Sequence, residues 1–253
     1  MSLLATEAVV IGSTNLVEAD RIVAVYSPRY GQIRGVAHGV KRIKNPFGSA
    51  LEPLTHIHLI VKVRPNRELQ IIRQADIINS FQALRGDIIR LTAGLYGAEL
   101  VQRLTPVGGE GQPEVFDLLV RYLGLLTEKR DMITLLRILE LRLLALLGYG
   151  PQLERCQVCG AVLHGHGWGF SPEQGGLVCP RCRHGVRDAH PMSPGGIMFL
   201  RQAVSMDLER IGRLRVLPSA REELEHTLNG MLMTHGGASL KSYPVLKRLL
   251  PGG

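Results

Sequence analysis

Residues 20–38, "DRIVAVYSPRYGQIRGVAH", decide how the first third of this 253-residue chain folds. Two strand-like runs, 20–27 and 31–38, lie on either side of Pro28-Arg29-Tyr30. Both are rich in β-branched residues and bounded by Asp, Pro and Gly, the pattern of short strands. Three more runs stand nearby: "EAVVIG" at 7–12, "LTHIHLIVKVR" at 54–64 and "LQIIRQADII" at 69–78. Within 54–64, side-chain alternation puts Ile57, Leu59, Val61 and Val63 on one face and His56, His58 and Lys62 on the other. Five short strands in about 75 residues suit a small closed barrel, and the OB-fold is such a barrel.

Between the third and fourth runs lies "GVKRIKNPFGSALEP" (39–53), too irregular for a strand and read as a long loop. It belongs to a stretch without acids: between Asp20 and Glu52 stand Arg21, Arg29, Arg34, Lys41, Arg42 and Lys44. The whole chain carries a formal charge of +8 and a pI near 9.6. Such a balance permits an anionic partner; a solvated basic face is the plainer alternative.

Beyond residue 81 the period changes. Leu84, Ile88, Leu91, Leu95 and Ala98 step by threes and fours, the mark of a helix face. The Gly- and Pro-rich "LTPVGGEGQP" (104–113) ends that helix. Two more helices are predicted at 113–129 and 131–150. The second is apolar nearly all round, as a central bundle helix would be, and stops at Gly148-Tyr149-Gly150-Pro151. Helical runs follow at 193–206, 218–237 and 240–250, with Pro218, Ser219 and acids at 222 and 223 marking a helix start.

All four cysteines fall in 156–182, "CQVCGAVLHGHGWGFSPEQGGLVCPRC", as two Cys-x-x-Cys pairs with nineteen residues between them. A two-residue gap lets both sulfurs of a pair reach one ion, so Cys156, Cys159, Cys179 and Cys182 fit one structural zinc ion in a closed tetrahedral shell. Ordering a glycine-rich segment this way draws on roughly 10–16 kcal/mol of binding free energy. A disulfide clip or a redox pair is the weaker reading, because no secretory leader is seen and the compartment expected is the reducing cytosol. His164, His166, His184 and His190 read as exposed loop histidines, and Trp168 as a lid over the metal knuckle. His56 and His58 could share a metal, but no third ligand stands out.

Together these signs predict an α+β chain: a five-stranded OB-fold barrel (1–80), a helical part (81–150), a four-cysteine zinc module (151–190) inserted between helices, and a C-terminal helical part (191–253). No apolar run approaches the length of a membrane span. No Gly-x-Ser-x-Gly elbow, His-Glu-x-x-His pair or Walker loop is present, and the acids are scattered; Glu18 and Asp20 lie at the start of a strand. No catalytic residue is assigned.

Several segments resemble one family. Glu18-x-Asp20-Arg21-Ile22, Gly31 ahead of a short strand, Ala37-x-Gly39-Val40-x-Arg42-x-Lys44, and Gly48, Leu51 and Pro53 are similar to the start of RecO, the bacterial recombinational-repair mediator. "YGAELVQRL" (96–104), the tail "LKSYPVLKRLL" (240–250) and the order of barrel, helices, cysteine module and helices resemble it too. The resemblance implies a bacterial, cytoplasmic, nucleoid-associated protein without enzymatic activity. Such proteins bind single- and double-stranded DNA, anneal complementary strands, work with RecR and help load RecA. They also dock the acidic C-terminal tail of single-strand-binding protein. On this expectation Arg29, Tyr30, Arg34, Lys41, Arg42 and Lys44 track the DNA backbone, with Phe47 as a second aromatic or as loop packing. A nuclease with an accessory zinc ribbon and a scaffold that binds protein through its zinc knuckle are the competing readings.

Overall fold

The computed structural model describes residues 2–16, 19–40, 45–64, 66–128, 130–207, 210–236 and 240–250. Lys41, Arg42 and Lys44, and also Glu18, lie outside the described residues. The chain packs as two compact units, 1–129 with 240–253, and 130–239, which cut across the sequence segments 81–150 and 191–253.

In the first unit five strands form a closed barrel: β1 (Leu3–Asn15), β2 (Arg21–Ser27), β3 (Gly31–Ala37), β4 (His56–Lys62) and β5 (Leu69–Asn79), in the order β1-β2-β3-β5-β4. Strand β1 pairs with β4 through its first half and with β2 through its second. A bulge between Val10 and Gly12 lies where it changes partner, and bulges of this kind bend a strand and increase its twist. The parallel pairing Arg34↔Leu69, Gly35↔Gln70 and Val36↔Ile71 sets the start of β5 beside β3. Ala8, Val10, Val23, Val25, Ile57, Leu59, Val61 and Ile72 fill the interior, while His58 faces out.

The 39–53 tract is more than a loop. Its described part folds as turns that send Phe47, Ala50 and Leu51 into the barrel core. Phe47 is therefore packing and is closed to a stacked base.

Helix α1 (Gln82–Arg85) is a single turn. Asp87 then caps α2 (Ile88–Leu104), its carboxylate accepting from the N–H groups of Ile89 and Arg90. The buried face of α2 matches the predicted one only in part: Ala98 is buried on it, and Leu84 is buried in α1. Ile88 is 63% exposed and Leu95 36%, while Thr92, Ala93, Tyr96, Gly97, Ala98, Leu100 and Val101 point inward. Small residues win the inner face because neighbours come close: a Cβ on Gly94 would stand 2.7 Å from Leu54 Cδ1. Helix α3 (Pro113–Thr127) packs on α2.

The second unit begins with α4 (Met132–Leu146), whose residues 134–141, 143 and 144 are buried. The charged pair among them, Arg137 and Glu140, bonds at 2.8 Å. The helix stops as the sequence predicted, Tyr149 N–H bonding back to Leu144 O (2.8 Å). Strands β6 (Gly169–Ser171) and β7 (Gly176–Val178), the short helix α5 (Pro180–Arg183) and strand β8 (His190–Pro191) form the cysteine module, with sheet order β7-β6-β8. Helix α6 (Pro194–Ser205) is capped by Ser193 Oγ, which accepts from Gly196 N–H. Helix α7 (Arg221–Gly236) follows a 3₁₀ turn at Pro218–Ala220, and both α6 and α7 pack on α4.

The last helix, α8 (Ser242–Leu249), belongs to the first unit and packs on α2. Glu99 accepts from Lys241 N–H (2.9 Å), Ser242 N–H (2.9 Å) and Ser242 Oγ (2.5 Å), and Tyr96 and Tyr243 lie ring to ring at 5.7 Å. Two of the family-like segments, 96–104 and 240–250, thus meet although they stand far apart in the chain.

Candidate nucleic-acid interface and metal centre

The barrel presents one groove that contains three of the expected DNA-contacting residues. Arg29 and Tyr30 come from the β2–β3 turn and Arg34 from β3, and all three line a cavity of about 340 Å³. The turn is held against residues 107–111, which follow α2: Gly111 N–H donates to Arg29 O (3.1 Å), and Gly108 N–H to Gln32 O (2.9 Å). Two glycines make that approach feasible. A Cβ on Gly111 would lie 2.3 Å from Pro28 O, and Gly31, at φ +58°, would carry one 2.9 Å from Gly109 O.

Within the groove the Arg29 guanidinium stands 5.3 Å from the Tyr30 ring centroid, a cation–π contact. Arg34 is not free: its Nη1 bonds Glu68 Oε1 at 2.5 Å. Both partners are exposed enough that such a pair holds by only about 0–1 kcal/mol. Glu68 and Glu110 on the groove wall were not anticipated from the sequence. Glu68 arrives only through the parallel pairing of β3 and β5, which is non-local and leaves no mark in any short window.

The ends of the basic tract are pinned beside β2. Asp20 accepts from Gly39 N–H (2.9 Å) and pairs with His38 Nδ1 (2.6 Å), while Arg21 Nη1 bonds Glu52 Oε1 (3.0 Å). Asp20 and Gly39, both in the family-like pattern, therefore act together as a clasp. His56 makes a structural contact: it is 9% exposed, hydrogen-bonded to Glu7 Oε2 (3.2 Å) and set edge-on to Phe116. Burial lowers its pKa, with Glu7 opposing that effect.

In the second unit the four cysteines converge: the sulfurs of Cys156, Cys159, Cys179 and Cys182 all lie within 4.8 Å of one another. Two tight turns bring them in. Gly160 N–H bonds Cys156 O (2.9 Å) in the first, and Cys182 N–H bonds Cys179 O (3.1 Å) at the start of α5. Cys159 and Cys179 Sγ stand 3.8 Å apart, close to the edge of a tetrahedron built on metal–sulfur bonds of ~2.3 Å and far beyond the ~2.05 Å of a disulfide. Burial raises the Cys156 thiol, but hydrogen bonds from the N–H groups of Cys179, Cys159 and Val158 outweigh it and bring the pKa to about 6. Cys182 is pushed up to about 12, first by its hydrogen bonds to Cys179 and Cys159. A cation among the sulfurs removes that conflict, because it stabilises four thiolates at once. The donor set fits a metal ion, and among the described residues it is the one place where three or more such donors gather.

The module also has a small apolar centre, since Phe170, Leu177 and Val178 are fully buried. Trp168 is buried and lines a cleft of about 290 Å³ with Met192, Pro194, Ile197 and Met198, its Nε1 donating to His164 O (2.8 Å). His164, His166 and His184 are exposed as expected. His190 is not: it is half-buried between Phe170 and His226 and hydrogen-bonded to Thr227 Oγ1 (2.8 Å). No helix among the described residues is long and apolar enough to cross a membrane.

A five-stranded OB barrel combined in one chain with a helical part and a cluster of four cysteines able to hold a metal ion defines a class of mixed α+β proteins. Within that class the chain belongs to the RecO family: the model for the recombination protein O N terminal matches residues 1–81, and that for the C terminal matches 85–244. Relatives named DNA repair protein RecO agree along nearly the whole length. The one from Roseiflexus sp. is 38% identical over 227 residues, 90% of this chain and 79% of the relative. That from Pelotomaculum thermopropionicum is 35% identical, covering 98% and 95%, and that from Heliobacterium modesticaldum is 32% identical, covering 98% and 90%. Family membership gives the chain a role in DNA repair and recombination.

Proposed function

We propose that this chain is a non-enzymatic mediator of recombinational repair. It binds single- and double-stranded DNA through its barrel and anneals complementary strands. With RecR it helps load RecA onto DNA covered by single-strand-binding protein, whose acidic C-terminal tail it docks. It works in the bacterial cytoplasm at the nucleoid. The observation that carries the reading is the meeting of Arg29, Tyr30 and Arg34 along one open groove of an OB barrel. Lys41, Arg42 and Lys44, which lie outside the described residues, add to this reading only as positive charge in the sequence, between the described Gly39, bonded to Asp20, and Glu52, bonded to Arg21. Neutralising phosphates releases counterions, which gives affinity without sequence preference and suits a protein that must act on any strand.

The ion held by Cys156, Cys159, Cys179 and Cys182 is zinc, the usual partner of four thiolates in tetrahedral array. With every ligand position filled by sulfur it braces the module and supplies no open site for chemistry.

The test is a salt titration of oligonucleotide binding. With about five basic side chains on single-stranded phosphates, log K falls against log salt with a slope of roughly −3.5. The triple variant Lys41→Glu, Arg42→Glu, Lys44→Glu loses binding and annealing together while keeping its circular dichroism. A slope near zero, or a triple variant that still anneals, refutes the reading. Cleavage of labelled DNA in magnesium places the protein among nucleases instead.

A further inference from the structure

The groove that holds Arg29, Tyr30 and Arg34 has a feature that phosphates do not need. Its floor is apolar, built from Leu4, Ile33, Val61 and Val63 of the barrel and from Val107 after α2. At about 340 Å³ it stands near the lower end of clefts that take small ligands. It is also fixed in shape. Val107 bridges to Gln32 of β3, and the next residue donates its N–H to Gln32 O at 2.9 Å, so floor and turn are one piece. A ligand matched to this site has a flat, weakly polar body and an anionic group beside it. On the anionic side the groove already contains a substitute. The Glu68 carboxylate lies on Arg34 at 2.5 Å, where a phosphate oxygen would otherwise bond.

We propose that this groove is a subsite for one unstacked nucleobase, whose neighbouring phosphate displaces Glu68 from Arg34. The proposal rests on the reading that the barrel binds DNA, and names where and how. The base lies on the apolar floor against Val107, with Tyr30 at its side. Phosphate takes over the guanidinium because a multiply contacted polyanion outcompetes a single exposed carboxylate, whose pair with arginine is weak. Glu68 therefore lowers the affinity of any anion for Arg34 only a few-fold, and a strand held by several contacts overcomes it. Paired bases in a duplex are stacked and cannot enter, so this pocket favours single strands, whereas the surrounding cations serve both forms.

Abasic oligonucleotides separate the contributions, since they keep every phosphate and lack the bases. The full-length protein binds an oligothymidylate about tenfold more tightly than an abasic strand of equal length, as expected where one base finds an apolar seat. Val107→Trp fills the cavity from its exposed rim, lowers the ratio of single-strand to duplex affinity and shrinks the gap between normal and abasic strands. Glu68→Gln raises single-strand affinity roughly two- to fivefold, the release of one exposed ion pair. That gain vanishes when Arg34→Gln is also present. Equal binding of normal and abasic strands by the unaltered protein overturns the base subsite. An undiminished gain from Glu68→Gln beside Arg34→Gln overturns the displacement. Failure of both strands to bind removes the nucleic-acid reading itself, and the subsite with it.

Discussion

The barrel and the four-cysteine module solve the same problem with different means. The barrel closes a sheet on itself and fills it with Ala8, Val10, Val23, Val25, Ile57, Leu59 and Val61, all between 0 and 1% exposed. Its stability is distributed, so each residue contributes its own share of apolar burial. The module has strands of two or three residues and an apolar centre of a few side chains. Such a segment falls well below the size at which a core alone suffices. Its order is concentrated at one point, where four sulfurs converge within 4.8 Å. Distributed and concentrated stability predict opposite responses to the same kinds of damage.

On the proposal that these four sulfurs hold a metal ion, the largest effect comes from removing it. Binding in such modules contributes on the order of 10–16 kcal/mol near neutral pH, more than any single side chain in the barrel. Cys156→Ser with Cys159→Ser, or a strong chelator, unfolds the region 151–191. Trp168 is the single tryptophan and is buried, so its emission shifts to the red as the module opens. Amide hydrogen exchange read by mass spectrometry shows lost protection in 156–191 and retained protection in 3–79. If barrel peptides lose protection as well, the contrast between the two regions is wrong.

A smaller loss follows from cutting into the distributed core. Leu59 is 1% exposed inside the barrel, and truncating a buried leucine to alanine costs roughly 2–5 kcal/mol. Leu59→Ala lowers the urea midpoint of the barrel by a matching amount, and one metal ion per chain remains bound by elemental analysis. Loss of the metal along with the barrel would mean that the two regions stand or fall together.

How far each region could be read from sequence follows the same division. The strands were legible as short runs rich in apolar residues and bounded by Gly, Pro, Asn or Asp, and in β4 also by alternation, as Ile57, Leu59 and Val61 are buried and His58 is exposed. The convergence of the four cysteines was legible because they come in local pairs, and two residues of spacing carry the geometry. What failed to show was non-local or small. The inner face of α2 includes the small residues Ala93, Gly94 and Gly97 beside Tyr96, Leu100 and Val101, and the period of large apolar residues passes over those small ones. Phe47 sits in a tract that looks like a polar loop and yet fills the barrel. Glu68 and Val107 join the groove only because a parallel strand pair and an interhelical loop bring them there. The basic cluster was legible as charge, but its balance was not, since the acids that temper it come from outside the 21–51 window.

The smallest effect concerns a polar tie in the barrel unit, and it sharpens the comparison because it responds to pH. Glu99 receives three hydrogen bonds from Lys241 and Ser242 and so fastens α8 to α2. Burial pushes its carboxyl up, but the bonds from Ser242 and Lys241 and the charge of Arg103 outweigh that and leave the pKa below its ordinary value. A carboxylate with a depressed folded pKa stabilises the native state at pH values above its unfolded pKa. That contribution disappears as pH falls through the folded pKa. It is thus fully present at pH 7 and fades below the ordinary value of 4.5. Glu99→Gln keeps an acceptor but loses the charge, costing roughly 1–2 kcal/mol at pH 7. As pH falls through the lowered folded pKa the two proteins converge, because protonation removes the same charge from the wild type. Thermal melts across that range, read by exchange protection in 240–250, check the expectation. A difference between the two proteins that does not begin to shrink as pH falls below 4.5 would show that the carboxylate charge is not what holds α8 in place.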